Sequence, residues 1–433
     1  MRIGIMNRKI LQLTIPSIVS NITVPLLGLV DISIVGHLGD AVYIGAIAVG
    51  GMLFNVLFWL FGFLRMGTSG LTSQASGRKN EMEQMVILVQ ALGTGLFFAL
   101  MILLFQYPIG RLAFYLLQTG DDVQRFAELY FHLCVWGVPA MLGMYAFNGW
   151  FIGMQNSRYP MFVAVGVAVV NVICSFTFVF LFGMKVEGVA LGTLLAEWFG
   201  LALACWLWWR KYGALRFKLE WCHVWDIARL RCFFDVNKDI FLRTLCLVAV
   251  TFMFTSAGAR QGDVVLAVNT LLMQFFTLFS YVMDGFAYAG EALVGYYVGA
   301  QDSSSLRVAV RSLLKWGVAM ALLFTILYGG GGEIFLSLLT NEPAVLAVAG
   351  EYWTWVLLIP LASFCAFLWD GILIGATATR QMLMSMLVAT IVFFVIYYAA
   401  SAFLNNHVLW IAFLAYLFLR GMVQCFLGRR FFL

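Results

Sequence analysis

Charge is scarce in this sequence. Asp, Glu, Lys and Arg make up 11% of its 433 residues, against about 25% in soluble domains. So little charge cannot solvate the surface of a water-soluble enzyme or binding module. Histidine is scarcer still. The four present (His37, His132, His223, His407) form no HExxH and no pair at metal-ligand spacing, which argues against a metalloenzyme. The eight cysteines show no CxxC spacing. Most of them (Cys134, Cys174, Cys205, Cys246, Cys365, Cys425) lie in apolar segments and read as packing residues rather than a disulfide or zinc framework.

Long apolar runs are what the chain has instead. Hydrophobic residues reach 63% and the mean hydropathy is +0.94, the composition of a polytopic membrane protein. Windows long enough to cross a hydrocarbon core lie near 10–35, 42–66, 84–106, 126–152, 159–183, 187–209, 240–259, 264–298, 308–330, 347–375, 382–404 and 407–427. The expected fold is all-α, with twelve transmembrane helices in two pseudo-symmetric six-helix lobes. The connections are short except for a basic stretch holding Arg210, Lys211, Arg216, Lys218, Arg229, Arg231 and Lys238. It divides the chain into an N-lobe over 1–210, a cytoplasmic linker over 211–238 and a C-lobe over 239–433.

Lys and Arg concentrate at the N-terminus, in the even-numbered loops and at the C-terminus, so both termini are expected to be cytoplasmic. This segregation by membrane side also explains the net charge of +5 without a nucleic-acid partner. The apolar run after the basic N-terminus is too long for a signal-peptide core, so the first segment is expected to remain as a membrane helix.

The halves repeat. Gly149–Arg158 (GWFIGMQNSR) and Gly371–Arg380 (GILIGATATR) share GxxIGxxxxR at an offset of 222 residues. Gly39-Asp40 matches Gly262-Asp263 at 223, Gly62-Phe63 with Gly67 matches Gly285-Phe286 with Gly290 at 223, and Gly77 matches Gly299 at 222. An even number of helices per half makes this a parallel repeat, an arrangement common in transporters that rock two lobes about a cavity.

Several intramembrane acids break the repeat. Asp31 is the only charge between Leu11 and Gly36, and a charge at the centre of a membrane helix costs roughly 2.5–3.5 kcal/mol on insertion scales. By register its counterpart near Met253 or Phe254 is apolar, Asp370 falls opposite Asn148, and Asp284 falls opposite Phe61. A cap or water could satisfy Asp31, which lies about 7 Å from the end of its segment; proton or cation exchange is the functional alternative. Pro16 and Pro25 precede it and could let the helix bend. Asp284 and Glu291 share a helix face with Tyr281 and Tyr288, as a cavity lining or as a buried network. Glu197 stands between Leu195 and Trp198 in the sixth segment, with the same two readings open. Asn148, Asn171, Ser175 and Thr193 interrupt apolar helices, and Asn171 and Ser175 lie one turn apart.

Six stretches carry a family likeness: Asn21–Gly39 (NITVPLLGLVDISIVGHLG), Phe63–Gly77 (FLRMGTSGLTSQASG), Asn237–Leu247 (NKDIFLRTLCL), Gly258–Asn269 (GARQGDVVLAVN), Met283–Gly295 (MDGFAYAGEALVG) and Leu368–Thr377 (LWDGILIGAT). In these the chain resembles the multidrug and toxic compound extrusion (MATE) exporters, specifically their DinF-like branch. The resemblance implies two six-helix lobes forming a V-shaped cavity, and efflux driven by inward H⁺ or Na⁺ movement. It implies that Asp31 is the N-lobe protonation site, with Asn171, Asn148, Tyr130 and Thr193 as polar companions. Ser175 departs from the pattern by standing where an aspartate is usual. That loss puts a two-acid relay or a Na⁺ site in doubt and favours H⁺. Asp370 matches an aspartate that some branches use for cation coupling.

The expectation is therefore a cation-coupled antiporter of the bacterial inner membrane, a monomer with no cofactor beyond H⁺ or Na⁺ as coupling ion. Its substrates are expected to be amphipathic small molecules, for which 20 methionines and 70 aromatic residues offer an adaptable wall. A flippase of a lipid-linked intermediate is the rival. Against it, few Lys or Arg lie inside the membrane, with Arg65 and Arg243 expected near the cytoplasmic rim. A membrane enzyme is the weaker alternative.

Overall fold

In lipid, an apolar segment must satisfy its backbone internally, and a helix does so within one segment. The computed structural model describes residues 2–36, 41–117, 120–339, 342–400 and 405–432, and no strand occurs among them. The Gly39-Asp40 landmark and His37 lie outside the described residues. The N-terminal half consists of α1 (Arg2–Gly36), α2 (Ala41–Gly77), α3 (Glu81–Leu104), α4 (Gln106–Leu117), α5 (Asp121–Cys134), α6 (Val138–Gly153), α7 (Arg158–Phe176) and α8 (Val186–Tyr212). A short α9 (Trp221–Val224) follows, then α10 (Ile227–Ala259), α11 (Asp263–Gly299), α12 (Ser303–Leu339), α13 (Pro343–Gly375), α14 (Thr379–Ala399) and α15 (Asn406–Phe432). Among the described residues, twelve helical stretches are long and apolar enough to cross a membrane. Several outrun the apolar windows because helix continues into polar sequence, as α2 does to Gly77. The fourth span is interrupted: α5 and α6 meet at a 3₁₀ turn, Val135–Gly137, with Pro139 in the first turn of α6. Proline supplies no N–H to continue the ladder.

The chain divides into two compact units, Ile15–Asn237 and Lys238–Leu433, the second also holding Met1–Thr14. Two helices therefore change unit partway along, α1 after Thr14 and α10 after Asn237, at equivalent places in the repeat. Most of the basic stretch belongs to the N-terminal unit and is docked on α3. Gln90 donates to the Val224 carbonyl at 3.0 Å, and Arg229 donates to the Met82 sulfur at 3.3 Å.

Within each unit the repeat is written in backbone contacts. A Cβ on Gly149 (α6) would lie 2.3 Å from the Arg65 carbonyl oxygen of α2, and one on Gly371 (α13) would lie 2.2 Å from the Ala287 carbonyl oxygen of α11. One turn on, Gly153 meets the Ser69 carbonyl at 2.8 Å and Gly375 the Glu291 carbonyl at 2.8 Å. All four contacts repeat at 222. This corrects the 223 register expected for α2 and α11, and it sets Asp284 opposite Gly62 rather than Phe61. The two Gly-Phe pairs match in sequence by one-residue slip; only the close approach of the backbones distinguishes the registers.

Gly149→Ala and Gly371→Ala should each cost about 1–3 kcal/mol, because backbone must move to admit the methyl. Gly62, with nothing within 4 Å of its added Cβ, should accept alanine without loss. Melting curves of the purified protein would decide it, and an unshifted Gly371→Ala transition would refute the contact argument.

The helix ends repeat as well. Lys79, Gln155, Gln301 and Thr377 all adopt left-handed backbone, with φ of 56°, 57°, 56° and 54°. Each is followed by a six-to-one hydrogen bond such as Asn80 N–H to Ala75 C=O or Ala378 N–H to Leu373 C=O. β-Branched threonine is strained there, so Thr377→Gly should raise stability by about 1 kcal/mol. The helices that follow begin on matched caps. Asn80 Oδ1 accepts from Glu83 N–H at 3.1 Å, and Asp302 Oδ1 accepts from Ser305 N–H at 3.0 Å and from the Ser304 hydroxyl at 2.8 Å. The Ser305 and Ser304 hydrogen bonds hold the Asp302 carboxyl down to about 2 from an ordinary 3.8. Its depressed value means that the charged cap is fully present above the ordinary carboxylate range and is lost only as pH falls towards 2.

Candidate functional site

The N-terminal unit gathers its polar side chains from four helices onto one buried line. Asp31 of α1 is 4% exposed and faces the Asn171 amide of α7. Asn171, fully buried, donates from Nδ2 to the Thr193 hydroxyl of α8 at 3.0 Å. The Tyr130 hydroxyl of α5 faces Thr193 and, one turn further along its own helix, the Cys134 thiol. Cys134 interacts electrostatically with Asp31 on one side and with Glu197 of α8 on the other. Helical spacing makes this line: Tyr130 and Cys134 are four residues apart on α5, as are Thr193 and Glu197 on α8.

Close helix approach holds it shut. Tyr130 lies over Gly50 of α2, where a Cβ would come within 2.4 Å of its ring. Ser175 packs on Gly192, whose added Cβ would lie 2.3 Å from the Ser175 hydroxyl and 2.8 Å from its backbone nitrogen. Immediately beyond Ser175, α7 widens into a π turn, Thr177–Leu181, a distortion frequent at functional sites.

The structure thus brings Asp31, Asn171, Thr193 and Tyr130 together. Ser175 is buried on the same helix one turn from Asn171, and Asn148 is half-buried on α6. Asp31 Oδ1, Asn148 Oδ1 and Ser175 Oγ are buried without a hydrogen-bond partner. Such oxygens are costly to bury unless something engages them. Two further members of the line are Cys134, read from sequence as a packing residue, and Glu197, whose sequence reading stood open between cavity lining and buried network. Their signals in sequence were spacing from Tyr130 and Thr193 and, for Glu197, an isolated acid in an apolar segment.

The C-terminal unit treats its acid differently. The Asp370 carboxylate of α13 is gripped by the Arg243 guanidinium of α10 and the Arg420 guanidinium of α15, with the Gln424 amide of α15 on its other oxygen. All four side chains are buried. Arg243 is thus buried within the unit: its neighbour one turn back, Asp239, accepts from Thr379 of α14 at 3.1 Å, and both tie α10 into the unit. Arg420 also lies in the field of Asp284, which stands beside Tyr281 on α11. Glu291 is buried at 1% exposure, deeper than Asp284, while Tyr288 is half-buried. Near one end of the same unit, Asn269 and Asn406 exchange two amide hydrogen bonds of 2.7 Å, and Trp410 donates to Asn269 at 3.0 Å.

Comparison with known proteins agrees with this architecture. A sequence model of the MatE family matches residues 16–186 and 240–426. The chain is 36% identical over 98% of its length to DNA damage-inducible protein F of Escherichia coli K12, covering 92% of that protein. It is 23% identical to a probable multidrug resistance protein NorM of Idiomarina loihiensis, over 79% of this chain and 74% of the relative. Its fold matches the crystal structure of the Vibrio cholerae MATE transporter VcmN in the bent form with a TM-score of 0.87 and 16% identity, over 99% of this chain and 97% of that one.

Proposed function

The chain belongs to the MatE family of multi-pass membrane transporters, and from that premise we propose that it exports amphipathic organic compounds in exchange for inward-moving protons, with Asp31 as the proton site. The observation that carries this reading is the contrast between the two buried aspartates. Asp370 is neutralised by two guanidiniums, so its charge is committed to holding helices together. Asp31 faces an amide and keeps one buried oxygen unpartnered, and no cation balances its charge among the described residues.

The chemistry follows from that contrast. A carboxylate excluded from water and unpaired with a cation is costly; the protonated acid is neutral and tolerates the site. A cationic substrate and a proton are then alternative ways of balancing Asp31, and loading one favours release of the other. Sodium is the poorer fit, since a hard cation wants several anionic oxygens and Ser175 supplies a hydroxyl where a second carboxylate would stand. The word multidrug in the NorM relative's name supports a broad amphipathic substrate range. The Lys/Arg distribution supports both termini facing the cytoplasm, and the bacterial relatives support the inner membrane.

A flippase of an anionic lipid-linked intermediate is the second reading. It is favoured by the presence of two buried arginines at Asp370, although Asp284 offsets the second of them. Purified protein in liposomes separates the readings. An imposed pH gradient should drive movement of a fluorescent lipophilic cation, and a Na⁺ gradient should not. Drive by Na⁺ alone would overturn the proton assignment, and transport of an anionic lipid analogue instead of the cation would overturn the substrate class.

A further inference from the structure

Glu197 has no part in the proton reading as it stands, yet its surroundings resemble those of Asp31. It is 8% exposed, its Oε2 is buried without a hydrogen-bond partner, and no ion pair engages it among the described residues. The oxygen occupies a notch made by Gly137, the last residue of the 3₁₀ turn between α5 and α6; a Cβ there would lie 1.6 Å from Oε2. The adjacent Trp198 donates its indole N–H to the Trp136 carbonyl at 3.2 Å, which fixes α8 against the same turn. The acid is thus seated in a shaped recess at the one break in its neighbouring span. A packing role alone would need only carbon at this place, and carbon would be cheaper to bury.

The titratable groups facing Glu197 are few. Cys134 approaches from α5, with Tyr130 and then Asp31 of α1 beyond it, and no Lys, Arg or His balances Glu197 among the described residues. We propose that Glu197 is a second proton-carrying carboxyl of the N-terminal unit, coupled to Asp31 through the Tyr130 hydroxyl and the Cys134 thiol. The inference deepens the proton-antiport reading and rests on it. In this arrangement the carboxyl missing at Ser175 has its substitute on α8, one helical turn beyond Thr193, rather than beside Asn171. A proton leaving Asp31 need not enter water: Tyr130 can take a proton on its oxygen while releasing its own towards Cys134, and the Cys134 thiol, which donates to the Ala190 carbonyl at 3.7 Å, passes its own to Glu197 on turning from that carbonyl, so each hop breaks one O–H or S–H bond and forms another. Charge on the two acids is mutually unfavourable in the dry interior, so they titrate as a pair.

Infrared spectroscopy of the purified protein during a pH titration tests this without any substrate. Wild type should show two buried protonated-carboxyl C=O components that fade as pH rises. Glu197→Gln should remove one, Asp31→Asn the other, and each single variant should shift the pH at which the surviving component fades. Glu197→Asp keeps the acid and should keep both components, which guards against a Gln variant that fails to fold. Unchanged bands in Glu197→Gln, or an Asp31 component whose titration does not move, would overturn the proposal. In liposomes under a pH gradient, Glu197→Gln should slow cation export about tenfold, within the usual range of coupling between sites. Wild-type liposomes that ignore the pH gradient would refute proton antiport itself. Wild-type drive with equal rates in Glu197→Gln would refute the role of Glu197 alone.

Discussion

Asp370→Ala should destabilise the protein by about 3–5 kcal/mol, the scale seen when one partner of a buried ion pair is removed. The loss follows from what would be left behind. Arg243 and Arg420 both point at this carboxylate, and each already has a buried Nε without a partner. Without Asp370 two guanidiniums would face each other in a dry interior, and like charges there repel far more strongly than in water. Asp370→Asn should be nearly as damaging, because the amide keeps the shape but not the charge. Adding Arg243→Gln to Asp370→Asn should recover part of the loss, since one uncompensated cation leaves with the anion and Arg420 retains Asp284. Thermal unfolding of wild type, Asp370→Asn, Arg243→Gln and the double variant gives the cycle. A double variant no more stable than Asp370→Asn alone would show that the triad does not act through charge balance.

Asp31→Asn should leave the fold intact and remove the drive. Asparagine is neutral at every pH, as the protonated acid is, and it can still face Asn171. Export of a lipophilic cation under a pH gradient should fall by about 5–150-fold, the span of typical coupling free energies. Binding should change in a way that fixes the sign. In the wild type, raising the pH takes the proton from Asp31 and exposes a negative charge, so affinity for a cation should rise with pH; in Asp31→Asn it should be flat. A wild-type affinity that falls with rising pH, or a variant that keeps the wild-type slope, would place the proton elsewhere.

The sequence disclosed the spans and the duplication because both are written in local pattern: runs of apolar residues, and glycines recurring at fixed intervals. Much of the N-terminal site was legible for a related reason. Asn171, Ser175 and Thr193 are polar residues in otherwise apolar helices, and helical spacing says which of them face the same way. The partners of Asp370 were not legible. Arg243 and Arg420 are 127 and 50 residues away from it, and nothing local to an arginine tells an exposed position from a buried one. Glu197 was visible as an isolated acid but could not be ranked, since its meaning depends on the Gly137 notch and on Cys134, which come from another span. The register of α2 against α11 failed for a third reason. Two Gly-Phe pairs match at 223, and only the contacts of Gly149 and Gly371 with opposing carbonyls show that the helices are set at 222.

The assignment of Met1–Thr14 to the unit that begins at Lys238 has a consequence for synthesis on the ribosome. Lys9 reaches the Tyr297 hydroxyl at 3.4 Å, so a residue of α1 waits for one made 288 residues later, near the end of the eighth span. At translation rates of about 5–20 residues per second, that delay is roughly 15–60 s. During it the first turns of α1 lack their native neighbours, while the rest of that helix can already pack with its own unit. The C-terminal unit therefore closes onto a segment already inserted, and truncated nascent chains ending before α11 should leave Met1–Thr14 open to protease.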